Sequence, residues 1–414
     1  MINLKKFILH SVIYILYIFP CIISSTNFSS KEEYIKKENV KRSIEEINNL
    51  KYYNEKIDEI SINNRKKRDM IILQYKWTSP IYYQIGYALK LWLIRKAINY
   101  LKKLTCLNFV YVTSSTNHIS GIKFVTSFNC RAYLGRKFEK GWQEIGIGNE
   151  CHNFGGIIRM VLRTLGIIYQ HCRIDRDTFI KVFPENIAAG NVEDFQILLQ
   201  ANINQLFLPY EYGSLMHFGT LDGSKNRDYT LMPKDHLYES TVGQQEELTF
   251  NDIKTLNFHY CANKCKINIT CSNHGYQDPN DCYKCICPDS FEGFKCERYK
   301  KLLGCGTSLW TVRKQPTFFK FYGKKNCMYH LKTNGLKKIK IVILKIKIKP
   351  LYSFKCSESN SLEIKYWKDK SVMGARFCHQ KFPKIIKSHD NYAIIHYNSF
   401  CDTSYAQMYF IETF

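Results

Sequence analysis

The pattern of apolar and polar positions changes character several times along the chain, and each change marks a segment. Residues 1–25 begin with two lysines near the start, continue through a mostly apolar run and close on small Ser24 and Ser25. That run is short of the ~20 residues a spanning helix needs, so the pattern predicts a cleaved secretory signal peptide. No later segment is long and apolar enough to span a bilayer, and no transmembrane anchor is expected. Residues 26–68 are rich in Lys, Glu, Asn and Ile and end in Arg65-Lys66-Lys67-Arg68. The basic run reads as a processing site after a removable pro-segment, with a solvated charge run as the alternative. Ile81-Tyr82-Tyr83-Gln84-Ile85 reads as a strand, and residues 88–104 carry apolar residues at helical spacing with Lys and Arg opposite.

Residues 301–414 hold strand-like runs such as Thr317-Phe318-Phe319-Lys320-Phe321-Tyr322 and Ala393-Ile394-Ile395-His396-Tyr397. Within them, residues 336–350 read LKKIKIVILKIKIKP. Lys338 and Lys340 occupy even positions, while Lys345, Lys347 and Lys349 occupy odd ones. One unbroken strand would send the two groups to opposite faces. Either a bulge or a turn near residues 342–344 corrects the parity, or the apolar middle is buried and the ends are exposed differently. A bulge gathers the lysines on one face suited to sulfated glycan or an anionic membrane; an ordinary edge strand that deters aggregation is the alternative.

Composition narrows the class. Apolar residues make up 45% of the 414 and aromatics 14%, too much burial capacity for a disordered polymer. The formal net charge is +24, which favours anionic partners without choosing among them. Of the 17 cysteines, Cys21 leaves with the signal peptide, and the even number that remains suits disulfides in an oxidising route. Nucleic acid is therefore not an expected partner. Six cysteines, Cys265, Cys271, Cys282, Cys285, Cys287 and Cys296, crowd into one segment with few large apolar residues, which needs staples because it cannot bury a core. With Gly275 and Gly293 inside it, that spacing resembles an EGF-like module. The resemblance implies pairing of Cys265 with Cys282, Cys271 with Cys285 and Cys287 with Cys296. A zinc knuckle is disfavoured because His274 is not at ligand spacing. Asn268-Ile269-Thr270 is an N-glycosylation acceptor pattern.

The informative stretch is residues 155–170, GGIIRMVLRTLGIIYQ, followed by His171-Cys172-Arg173-Ile174-Asp175-Arg176-Asp177. It resembles the astacin family of zinc endopeptidases, whose signature is H-E-x-x-H-x-x-G-x-x-H-E followed by R-x-D-R-D. Gly166, Arg173, Asp175, Arg176 and Asp177 fit that frame without a gap. Residues 210–218, YEYGSLMHF, resemble the family's Met-turn, and Asn186-Ile187 and residues 257–261 its later landmarks. The resemblance implies an α+β, two-lobed metzincin domain over residues 69–261, with Cys130 and Cys151 as its short disulfide and Cys106 paired with Cys261. An EGF-like module at 262–300 and an all-β CUB-like sandwich at 301–414 follow. Two cysteine pairs each 22 apart, Cys305 with Cys327 and Cys356 with Cys378, carry the last resemblance. Cys172 and Cys401 have no family partner.

The site itself is missing. In the family, two histidines four apart on a helix and a third after the glycine hold zinc and leave one position for water. Those positions are Arg159, Arg163 and Tyr169 here, and a guanidinium has no lone pair to give. Met160 replaces the glutamate that takes a proton from zinc-bound water, Phe218 replaces the Met-turn tyrosine, and Gln170 replaces the next glutamate. His152, His171 and His217 are weighed as a different metal site and read as ordinary surface or hydrogen-bonded histidines. Met160 and Met216 read as packing residues.

The expectation is a secreted, extracellular pseudoprotease without catalytic residues, metal or other cofactor. It would bind extracellular peptide, protein or sulfated glycan, with Arg159 and Arg163 offering forked donors in a cleft or else pointing idly into solvent. An active zinc metalloendopeptidase is one alternative, and an adhesion protein acting through its EGF-like and CUB-like modules is another.

Overall fold

A computed structural model describes residues 75–113, 119–198, 208–348, 355–379 and 383–414. The signal peptide and pro-segment expected from sequence, and Lys349, lie outside the described residues. Strand β1 (Ile81–Ile85) leads to helix α1 (Leu91–Leu104), then β2 (Phe109–Tyr111), β3 (Gly121–Thr126), β4 (Arg131–Ala132) and β5 (Trp142–Ile147). They form one sheet in the order β2-β1-β3-β5-β4, parallel except for the short antiparallel β4. Helix α1 starts three residues later than its spacing predicts. Ala88 adopts φ +71° and Lys90 is extended, and a left-handed residue cannot propagate a right-handed helix. Apolar periodicity carries no trace of that turn.

Helix α2 (Phe154–Thr164) packs on the sheet, and nearly every residue from Gly155 to Thr164 is buried. Asn153 caps it, its Oδ1 accepting from Gly156 N at 2.8 Å. Gly155 and Gly156 allow the helix start to lie against other backbone: a Cβ on Gly155 would stand 2.0 Å from the Gln245 carbonyl oxygen, and one on Gly156 2.5 Å from Cys151 Cα. One apolar core joins α1, α2 and the sheet, including Ile94, Ile98, Phe124, Ile145, Val161 and Met216. The short helix α3 (Arg176–Phe179), β6 (Ile180–Val182), β7 (Leu231–Pro233) and α4 (Phe250–Cys261) complete this mixed α/β region. Thr249 and Asp252 form a reciprocal capping box at the start of α4.

The six-cysteine segment contains β8 (Tyr276–Asp278), β9 (Asp281–Ile286), β10 (Phe291–Glu292) and β11 (Arg298–Tyr299), paired as two small ribbons. Asn268 is exposed there. The carboxy-terminal region is all β: β12 (Leu309–Thr311), β13 (Thr317–Tyr322), β14 (Lys325–Lys332), β15 (Lys338–Lys347), β16 (Ser361–Lys365), β17 (Ala375–Phe377), β18 (Lys384–Lys387), β19 (Tyr392–Ser399) and β20 (Tyr405–Thr413). Two sheets, β12-β14-β19-β16-β17 and β13-β20-β15-β18, enclose a shared core. Strand β15 is not an edge strand. It lies between β20 and β18, and its register shifts between Ile343 and Lys345, where the lysine parity calls for a bulge.

Among the described residues, seven disulfides join Cys106–Cys261, Cys130–Cys151, Cys265–Cys282, Cys271–Cys285, Cys287–Cys296, Cys305–Cys327 and Cys356–Cys378. Cys172 and Cys401 have no disulfide partner among the described residues, the first being buried and the second partly exposed. The described residues fall within one compact unit. No helix among the described residues is long and apolar enough to cross a membrane.

Candidate functional site

Helix α2 sets Arg159 and Arg163 on one face, four residues apart, and both turn inward onto their own chain. Arg159 is 7% exposed. Its Nε donates to Leu215 O at 2.7 Å, and its Nη2 lies 3.4 Å from both His217 O and Gln244 O. Among the described residues no carboxylate comes within ion-pair distance of it, so main-chain carbonyl dipoles replace water around a buried cation. Arg163 donates from Nε to Ala132 O and from Nη2 to Asp194 Oδ1, each at 2.9 Å. These contacts correct the reading in which the pair points idly into solvent, and they take up the Nε and Nη2 donors of both guanidiniums.

The loop at residues 210–218 is held from beneath by α4. Ser214 Oγ donates to Asp252 Oδ1 at 2.5 Å, Leu215 N donates to Asp252 Oδ2 at 3.0 Å, and Gln170 N donates to Met216 O at 2.9 Å. Met160 and Met216 are buried in the core beside it, as packing residues.

Aromatic rings fill the space between helix and loop. Tyr169 is 3% exposed, stacks on His171 at 5.2 Å and meets Phe218 at 4.9 Å. The Arg163 guanidinium lies 4.5 Å from the Tyr169 ring centre and that of Arg159 lies 5.8 Å from Phe218, a sandwich of cations and π faces. His171 is fully buried among Phe195, His217 and Phe218. Burial drives its pKa well below the ordinary imidazole range, and burial lowers that of His217 to about 4. Burial also raises the Tyr169 phenol and the Asp194 carboxyl, the latter against the pull of Arg163, and pushes the Cys172 thiol up to about 12. At neutral pH the rings and the thiol are uncharged, and the thiol lies 3.0 Å from Asp194 O.

The donor set does not fit zinc. Arginine offers no lone pair, the Tyr169 phenol holds its proton, and Met160 cannot accept one. The two neighbouring imidazoles fare no better. His171 Nε2 lies 2.9 Å from Asp194 O, which only accepts, so the proton sits there and Nδ1 receives the Phe218 N–H. His217 Nδ1 faces Phe218 O at 2.6 Å, leaving Nε2 to accept from the Tyr210 hydroxyl at 2.8 Å. Both lone pairs are thus in use. His152 stands apart, beside Lys90 N, so the three histidines do not converge.

Sequence reasoning finds the replaced positions and misses their partners. Asp194 follows Arg163 by 31 residues and no motif contains it, while Ala132, Leu215, His217 and Gln244 act through main-chain oxygens that leave no mark in the sequence. Asp252 carries a signal, since Thr249-x-x-Asp252 ahead of an apolar helix is a capping pattern.

The family described as Astacin, a family of peptidases, matches residues 69–261. Zinc metalloproteinase nas-37 of Caenorhabditis elegans is 30% identical over 311 residues, covering 73% of this chain and 38% of that protein. Zinc metalloproteinase nas-36 of Haemonchus contortus is 30% identical over 326 residues, covering 75% and 52%. The chain therefore spans about half the length, or less, of these curated relatives. A solved structure of high choriolytic enzyme 1, a hatching enzyme zinc-protease from Oryzias latipes, aligns at 27% identity over 47% of this chain and 97% of its own, with a TM-score of 0.39.

Proposed function

Because residues 69–261 are a domain of the astacin family, we propose that the chain is a secreted pseudoprotease of that family, which binds extracellular ligands and does not cleave them. In this reading the six-cysteine segment is an EGF-like module and the carboxy-terminal double sheet a CUB-like one. One observation carries the proposal: Arg159, at the first ligand position, is bonded to the main chain of the loop that should support a metal. Arg163 and Tyr169 close the rest of the centre with Asp194. Seven disulfides support an oxidising route of export. With both guanidiniums engaged internally, recognition of an anionic ligand falls to groups elsewhere on the molecule.

The test is metal analysis joined to a peptidase assay. Protein purified from the secretory route should hold well under one zinc per chain after dialysis and leave a denatured protein substrate intact. Stoichiometric zinc with chelator-sensitive cleavage overturns the proposal. Replacing Arg159, Met160, Arg163 and Tyr169 together by His, Glu, His and His should restore zinc binding; a well-folded quadruple variant that binds none overturns the alignment on which the reading rests.

A further inference from the structure

Among the described residues, the outward face of the sheet β13-β20-β15-β18 collects six lysines and no carboxylate. Up to Ile343, strand β15 buries its odd residues, Ile339, Ile341 and Ile343, and turns Lys338 and Lys340 outward. After the register shift it buries Ile346 and Ile348 and turns Lys345 and Lys347 outward, leaving Leu344 exposed as the additional residue. The bulge therefore restores one common face. Neighbouring strands extend it: Lys340 lies opposite Lys387 of β18, and Lys345 is in line with Gln407 and then Lys320 across β20 and β13.

Rows of lysine alternate with rows of rings. Tyr409 lies opposite Val342 on one side and Phe318 on the other, its ring 5.5 Å from that of Phe318, and Tyr405 sits between Lys347 and Tyr322. Outward positions recur about every 6.8 Å along a strand and strands lie about 4.8 Å apart, so the lysine rows span about 27 Å from Lys338 to Lys347. Among the described residues no carboxylate lies within ion-pair distance of any of these six ammonium groups, and Lys340 directly faces Lys387. Like charges opposite one another destabilise a sheet. The face thus carries an uncompensated repulsion that an external polyanion would relieve.

We propose that this face is a binding site for a linear sulfated polysaccharide. The proposal deepens the binding function above by naming its surface and ligand. Sulfate groups repeated along such a chain meet the ammonium rows, and the C–H faces of the sugar rings lie on Phe318, Tyr322 and Tyr409 between them, matching the negative face of each aromatic ring. The disulfides of this region support an oxidising compartment, where sulfated glycans, and not nucleic acids, are the accessible polyanions.

The experiment uses the full chain on immobilised heparin, with chemically desulfated heparin and phosphatidylserine vesicles as parallel probes. The protein should stay on heparin beyond physiological salt. Lys320, Lys345 and Lys347 changed together to Ser should bring elution clearly below that of a charge-matched control, Lys225, Lys264 and Lys266 changed to Ser, whose lysines are exposed elsewhere. The face variant should also show a shallower dependence of log Kd on log salt, since fewer counterions are released. Equal shifts from both variants overturn the site in favour of diffuse charge. Undiminished binding to desulfated heparin overturns the ligand class, and so does vesicle binding lost in parallel with a heparin affinity that is no stronger. Thermal unfolding of both variants checks their folding. Zinc and peptidase assays on the same preparations keep failure of this site distinct from failure of the pseudoprotease reading.

Discussion

Arg159 shows how one side chain can hold together the elements around the position where the family places its first metal ligand. Its guanidinium ties helix α2 to the loop at 215–217 and to Gln244. Removing the donors leaves buried carbonyl oxygens without partners, a cost of about 1–3 kcal/mol. Arg159→Met should therefore lower stability by on the order of 2–3 kcal/mol in urea unfolding, with Arg159→Lys recovering part of it. Arg163→Met should cost less, because the Arg163 and Asp194 side chains are 19% and 34% exposed and partly screened pairs contribute little. Equal losses at the two positions would refute the ranking. At this scale the sequence is legible on one side only. A residue type that cannot ligate a metal is read directly from the frame, whereas a carbonyl that accepts from it has no identity to read.

At the scale of elements, the start of α2 sets a propensity against a contact. Alanine is favoured over glycine inside a helix by about 1 kcal/mol. At Gly155, however, the new methyl would stand 2.0 Å from Gln245 O and 2.5 Å from its carbonyl carbon, and forcing such overlap costs about 1–3 kcal/mol. The contact should win: Gly155→Ala should lower the midpoint of thermal unfolding, and a rise would show that the helix start can move. The glycine pair is plain in the sequence, but its reason lies about 90 residues away, at Gln245. Strand β15 is the opposite case. Two lysine groups of opposite parity on one run point either to a correction near residues 342–344 or to ends exposed differently, and the register shift between Ile343 and Lys345 decides for the first. What parity cannot supply is the neighbour on each side, which is why an edge strand is a fair reading of the sequence and β18 excludes it.

At the scale of the whole molecule, the α/β region and the double sheet meet through buried polar and aromatic groups. Glu211, 1% exposed, accepts from Asn251 Nδ2 at 2.9 Å and from Met373 N at 3.0 Å. Tyr238 donates to Met373 O, and Arg376 N donates to Thr241 Oγ1. Burial outweighs these donors and raises the Glu211 carboxyl to about 8, with Asp252 adding to the rise and Lys365 opposing it. The unfolded chain releases this proton near pH 4.5 and the folded chain only near 8, so the raised pKa makes stability fall as pH rises through that window. His171, His217, His259, His330, His389 and His396, whose pKa burial lowers, act in the other direction on either side of about pH 6.5, since the unfolded chain protonates them more readily. The carboxyl is therefore isolated by difference over the interval from about pH 6.5 to 8, with Glu211→Gln as the reference. Relative to Glu211→Gln, the stability of the natural chain should fall there by on the order of 1 kcal/mol per pH unit; a constant difference between the two proteins would place the cause elsewhere. The same junction bears on substitution. Gly213 seats Met373, since a Cβ there would stand 2.1 Å from its Sδ and 3.0 Å from its Cβ, and Met373 lies far along the chain in the double sheet's own region. Where two surfaces are shaped to one another in this way, a larger residue on one has to be met by a shift or a smaller residue on the other, so substitutions across the junction couple in their effect.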